Sequence, residues 1–199
     1  MANLDKNWRP EFGFIYTWFA MDKEGKIAMM INNNWGDLPK ALLYIENIEE
    51  KLGCINEYIW EESPVYNNYP ANKNSGVLLD MYCFWRRKGL SKKEVHKRVM
   101  TDYKNRGVYS DTNIPINKGF YIYEAVEGYK EGEDYPVGYD GPSKMGDYFR
   151  FLQPTIYGGI EDFPQELRGL VAVSKTIDFT VDRLLDNDLI NTYFPEVYQ

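Results

Sequence analysis

Histidine occurs once in this 199-residue chain and cysteine twice, and both scarcities exclude chemistry. Cys54 and Cys83 stand 29 positions apart, with no Cys-x-x-Cys motif and no histidine beside either. Zinc is usually held on clustered cysteine and histidine, and the one histidine is near neither cysteine, so no metal is expected; no cofactor is expected either. The two thiols read as small buried side chains, with a disulfide as the lesser alternative. His96, the single histidine, lies among Lys92, Lys93 and Lys97, and no serine or cysteine nucleophile is tied to it by a motif. A histidine-dependent triad is therefore not supported, and a surface histidine is the plain reading. No apolar run approaches the ~20 residues of a membrane span. Met1-Ala-Asn-Leu-Asp-Lys lacks the basic-then-apolar order of a signal peptide, so a cytoplasmic location without membrane association is expected. Gly138-Tyr-Asp-Gly-Pro-Ser-Lys-Met-Gly146 is glycine-rich, but its serine precedes its lysine and Pro142 removes a backbone donor, which disqualifies it as a phosphate loop. No catalytic residue can be assigned.

What the chain does have is aromatic surface and segregated charge. Aromatic residues make up 16% of it, with 17 tyrosines, and tyrosine suits half-buried sheet faces and binding surfaces alike. The net charge of −7 argues against general nucleic-acid affinity. Residues 86–106 nevertheless hold nine lysines or arginines against Glu94 and Asp102. Residues 124–147 are the opposite, with seven acids against Lys130 and Lys144.

The opening stretch sets the fold class. Phe14–Ala20 and Lys26–Ile31 read as strands joined by the turn Asp22-Lys-Glu-Gly25. A helix over 38–52 follows, with Ala41, Ile45, Ile48 and Leu52 on one face. A hairpin with a helix laid on it would bury one face and leave the other wet. Further strands are expected at 55–60, 76–85, 119–126, 148–152 and 170–174. Residues 63–75 read as loop, 163–169 as a helix and 181–189 as a short final helix. Asp37-Leu-Pro39 recurs as Asp162-Phe-Pro164 and suggests one capping solution used twice. Ser91-Lys-Lys-Glu94 is a capping box flanked by Leu90 and Val95, so a helix over 91–106 closed by Gly107 is predicted. Together these predict a single α+β domain over 1–199: a largely antiparallel sheet of about five or six strands with packed helices.

Within the acidic segment Glu131, Glu133, Asp134 and Asp140 lie beside Tyr129, Tyr135 and Tyr139. Carboxylates steer a basic partner and tyrosines supply anchors, which makes 129–140 a candidate protein-binding surface. Tyr16-Thr-Trp-Phe-Ala-Met-Asp-Lys-Glu-Gly-Lys-Ile-Ala28, followed by Asp37-Leu-Pro39, resembles the opening of small bacterial proteins. Some of these are encoded beside polymorphic or contact-dependent toxins as immunity partners. The resemblance spans residues 12–40, carries no site motif and transfers no functional residue. It implies a cytosolic, non-enzymatic protein that binds and neutralises a basic toxin domain. Two other readings stand beside it. One is a hydrolase-like enzyme using paired carboxylates, and the other a nucleic-acid-associated module using 86–106, with Arg86, Arg87 and Lys88 on phosphates.

Overall fold

In the computed structural model, residues 4–106 and 110–199 are described. Two strands, β1 (Thr17–Met21) and β2 (Ile27–Ile31), form the predicted hairpin, in register from Thr17↔Ile31 to Met21↔Ile27. Asp22 shapes the turn: its carboxylate accepts from Glu24 N at 3.0 Å and Lys26 N at 2.8 Å, while Gly25 takes φ +82°.

Two short strands, β3 (Val77–Leu79) and β4 (Tyr82–Cys83), come next. They are followed by β5 (Tyr121–Ala125), β6 (Pro136–Val137), β7 (Tyr148–Pro154), β8 (Val171–Val173), β9 (Leu184–Leu185) and β10 (Glu196–Val197). The main sheet runs β10-β8-β1-β2-β5-β7-β3 with β9 added to β7, eight strands among the described residues, and β4 pairs β6 separately. The class is α+β, as expected, but the sheet is mixed. Most neighbours are antiparallel, while β1–β8 and β2–β5 run parallel. The strand number exceeds the expected five or six because two- and three-residue strands carry no readable period.

Neither face of the opening hairpin is wet. Trp18, Phe19, Ala20 and Ile27 to Met30 are all fully buried. Side chains alternate across a strand, so neighbours point to opposite faces. Trp18 packs edge-on to Tyr148 and Phe194, whereas Phe19 meets Phe120 and Phe163. The second cover, supplied by C-terminal residues, is a long-range fact that a local pattern cannot contain.

The expected helix over 38–52 is two helices, α1 (Lys40–Leu43) and α2 (Ile48–Ile59). Asn47 at φ +54° breaks the backbone between them. The stripe Ile48, Leu52, Ile55, Ile59 then continues the helical period through the stretch expected as a strand at 55–60. The alternation of Tyr58 and Trp60 with glutamates was too short to separate the two periods.

The capping box forms as predicted, with Ser91 N donating to Glu94 Oε2 at 2.8 Å, and α3 spans Lys92–Arg106. Gly107 lies outside the described residues. Val95 and Val99 are buried and His96 is exposed. The remaining helices are single turns: α4 (Ile114–Asn117), α5 (Gln165–Arg168) and α6 (Ile190–Tyr193). The final helix expected at 181–189 is instead β9 and a 3-10 turn at Asn187–Leu189.

Pro39 and Pro164 occupy the N-cap of α1 and α5 with closely similar dihedrals, so the Asp-x-Pro repeat holds in the backbone. Neither aspartate caps its helix. Asp162 accepts from Gly159 N at 3.0 Å, which closes the Gly158-Gly159 turn with a carboxylate and leaves no anion cradle there.

The apolar run 76–85 is strand in two pieces, split at Asp80. That carboxylate receives Arg150 Nε at 2.7 Å and Arg183 Nη2 at 2.7 Å. Burial opposes its ionisation, but the Arg183 hydrogen bonds and the Arg150 charge outweigh burial and hold Asp80 below the usual carboxylate range.

Candidate functional site

In the sequence 17 residues separate the basic segment 86–106 from the acidic segment 124–147, and the small β4–β6 sheet brings them together. Tyr82 pairs with Val137 and Cys83 with Pro136, and Phe84 N donates to Tyr135 O at 3.0 Å. This docks 82–86 against 127–137.

Asp134 is the pin of that junction. It is 4% exposed, and its carboxylate accepts from Trp85 N at 2.9 Å, Glu127 N at 2.9 Å and the Cys83 thiol at 3.2 Å. Two backbone donors and a thiol satisfy a buried charge that would otherwise be costly. Cys83 is a free thiol, as is half-buried Cys54. Burial pushes the Cys83 thiol up, and the Asp134 and Glu127 carboxylates push it further, against one opposing hydrogen bond from the Arg86 backbone. Cys83, Glu127 and Asp134 bring three possible metal-ligand atoms within 4.8 Å of one another. All three are already spent, because Arg86 holds Glu127 at 2.5 Å and a cation would have to displace it.

Arg86 also donates to Asn33 Oδ1 at 2.9 Å, and Asn33 Nδ2 reaches Ala125 O at 2.9 Å. The guanidinium therefore ties the junction to the ends of the central strands β2 and β5. Arg87 stacks over Phe151, 4.5 Å from the ring centroid, and approaches buried Glu124 at 3.8 Å. Burial raises the Glu124 carboxyl above its ordinary value, opposed by Arg87 and Arg86. Both arginines assigned to phosphates in the nucleic-acid reading thus already have partners within the protein, Arg87 largely enclosed and Arg86 with its side chain still 40% exposed. Lys144, in the glycine-rich stretch, is likewise held by Asp186 at 2.8 Å and Asp188 at 2.5 Å.

Beside this polar base stand rings in two contact groups, together called the ridge. Tyr129 is 71% exposed and touches both Phe12, itself 65% exposed, and Trp85, each at 5.9 Å between centroids. Tyr135 is exposed and stacks on Phe84 at 4.6 Å, and Lys88 Nζ lies 6.0 Å from the Phe84 ring. Exposed aromatic clusters of this kind are uncommon on monomer surfaces and mark contact sites.

The predicted site residues divide three ways. Tyr129 and Tyr135 are on the ridge. Glu131 and Glu133 flank it, Glu133 accepting from Tyr129 N at 2.7 Å and Glu131 from Met145 N at 3.2 Å. Neither makes an ion pair among the described residues. Asp134 is buried beneath the ridge and cannot meet a partner directly. Tyr139 and Asp140 stand at the other end of the segment, beside Arg183, which donates to Gly138 O at 2.9 Å. Phe12, Phe84 and Trp85 were missed by sequence reasoning. The available signal for Phe12 was an aromatic directly after Arg9, Pro10 and Glu11, and nothing local marked the other two.

No helix among the described residues is long and apolar enough to cross a membrane. A scan against protein-family models, a search of curated proteins and a search of solved structures each found no match.

Proposed function

We propose that the chain is a non-enzymatic binding protein of immunity type, which occludes a basic protein partner through the ridge Phe12, Trp85, Tyr129 and Tyr135. The observation that carries this reading is the exposed ring cluster on a rigid base. Aromatic side chains bury large areas at low entropic cost, and such residues dominate interface energetics. Asp134 and the Arg86–Glu127 pair fix the ridge before binding, which lowers the ordering cost of association. Glu131 and Glu133 carry charge at its flank, and the net charge of −7 favours encounter with a basic surface. A toxin domain that acts on nucleic acid has that character. The protein acts in the cytoplasm in this reading.

The test is a complex with a purified basic partner, read by association kinetics across a salt series. Trp85→Ala and Tyr129→Ala should each raise the dissociation rate with little change in folding stability. Glu131→Lys with Glu133→Lys should slow association at low salt only. An interface that tolerates all of these substitutions contradicts the proposal.

A further inference from the structure

A second site lies elsewhere, between the loop 63–75 and the turn 160–164. It is a cleft of about 440 Å³ whose walls include Tyr58, Tyr66, Tyr69 and Phe163, with Glu161 and Asp162 at one side. Tyr58 is buried at its base, and the other rings gather on it. Tyr69 sits at 5.3 Å, Tyr66 edge-on at 5.8 Å and Phe163 at 6.4 Å. Tyr66 and Tyr69 remain partly open to solvent.

The loop that brings them is held in place rather than loosely draped. Ser63 Oγ accepts from Val65 N and Tyr66 N, and Lys73 N and Ser75 N donate to Asn117 O and Ile116 O. The Tyr58 hydroxyl donates to Asp162 O at 2.9 Å, joining the two walls.

Charge selects the ligand. The two cations beside the cleft are spent, Lys73 on Asp162 at 2.8 Å and Lys118 on Glu61 at 2.5 Å. Lys118 Nζ also lies 5.7 Å from the Tyr69 ring, so the protein already uses that ring to hold a positive charge. Glu161 is exposed and pairs with no cation among the described residues. What remains is the partly open Tyr66 ring, the Tyr69 ring shared with Lys118, and one carboxylate outside any ion pair among the described residues. Ring quadrupoles attract cations, most strongly those that shed water easily, such as alkylated ammonium and guanidinium groups.

We propose that this cleft binds an organic cation, an alkylammonium or guanidinium group, between Tyr66 and Tyr69 and against Glu161. The inference does not rest on the aromatic ridge or on any partner of it.

Choline and its uncharged carbon isostere, 3,3-dimethylbutan-1-ol, test it in a titration of the full chain followed by backbone amide shifts. Choline should give saturable shifts at Asn67, Asn68, Tyr69 and Glu161, with the isostere about tenfold weaker or more. Glu161→Gln, at an exposed position, should weaken choline several-fold, whereas Tyr69→Phe keeps the ring face and should bind as the parent does. Tyr69→Ala should abolish the shifts. If that variant unfolds, the Glu161→Gln and Tyr69→Phe pair still decides. Equal binding of choline and the isostere would overturn the proposal, as would no choline-dependent shift at these residues. Saturation by maltose but not by choline would overturn it too, and would mark a saccharide cleft.

Discussion

Arg86 and Glu127 meet at 2.5 Å, and in doing so they join the most basic and the most acidic segments of the chain. Each segment taken alone invites its own function, cationic for nucleic acid and anionic for a basic protein. Paired, they become the support of a third feature, the aromatic ridge. The pair costs each segment part of its free charge and gives the surface a fixed shape.

Asp134 should behave as a structural residue. Asp134→Ala strips the acceptor from Trp85 N, Glu127 N and Cys83 Sγ, and leaving buried donors unpaired costs about 1–3 kcal/mol. Urea unfolding should show that loss. Binding by the ridge should also weaken, because Trp85 and the 127–135 segment lose their common pin.

Asp80 contributes to the acid limb of stability. Asp80→Ala leaves buried Arg150 without its carboxylate, a change expected to cost about 3–5 kcal/mol at neutral pH. Its carboxyl is depressed in the folded state, so the folded protein binds fewer protons there than the unfolded chain. The stabilisation is therefore complete above the unfolded aspartate value of about 3.9 and fades as pH falls through the lower folded value. Denaturation of parent and Asp80→Asn across pH 7 to 3 should show the gap narrowing only below about pH 4. A gap that narrows between pH 7 and 5 would count against this assignment.

Cys83 should resist modification. Its thiol is fully buried and raised in pKa by burial and by two carboxylates, so the reactive thiolate is scarce. A thiol reagent at neutral pH should label Cys83 only on unfolding, while half-buried Cys54 is the more accessible of the two. Mass mapping of the labelled native protein distinguishes them.

Gly119 is required by its backbone. It takes φ +72°, and a methyl there would stand 2.5 Å from Ile156 O and 2.6 Å from Gly158 N. Gly119→Ala should cost at least about 1–2 kcal/mol for the left-handed conformation, with the backbone clash in addition. Thermal unfolding reads it directly.

How much of this was legible in the sequence depended on the range of the interactions involved. Helix α3 was readable because Ser91 and Glu94 cap it within one turn, and β5 because β-branched and aromatic residues line both its faces with only Glu124 between them. The 38–52 helix was misplaced because one left-handed residue, Asn47, resets the phase of the stripe. At the site, Tyr129 and Tyr135 stood out by composition alone. Asp134 looked like any surface acid, since its burial depends on donors at Cys83 and Trp85, far back in the chain. Phe12 and Trp85 join Tyr129 only once β4 has paired with β6.

The most direct test of the binding account is a capture experiment with the parent chain and the Trp85→Ala/Tyr129→Ala double variant, both confirmed as folded. Each is used as bait in lysate of the source organism at low and high salt and read by mass spectrometry. Truncating two central anchors should cost about 2 kcal/mol or more, roughly a 30-fold loss of affinity. The account predicts one stoichiometric basic protein on the parent and its loss from the double variant. Equal retention on both baits, or a captured partner that is acidic, would contradict it.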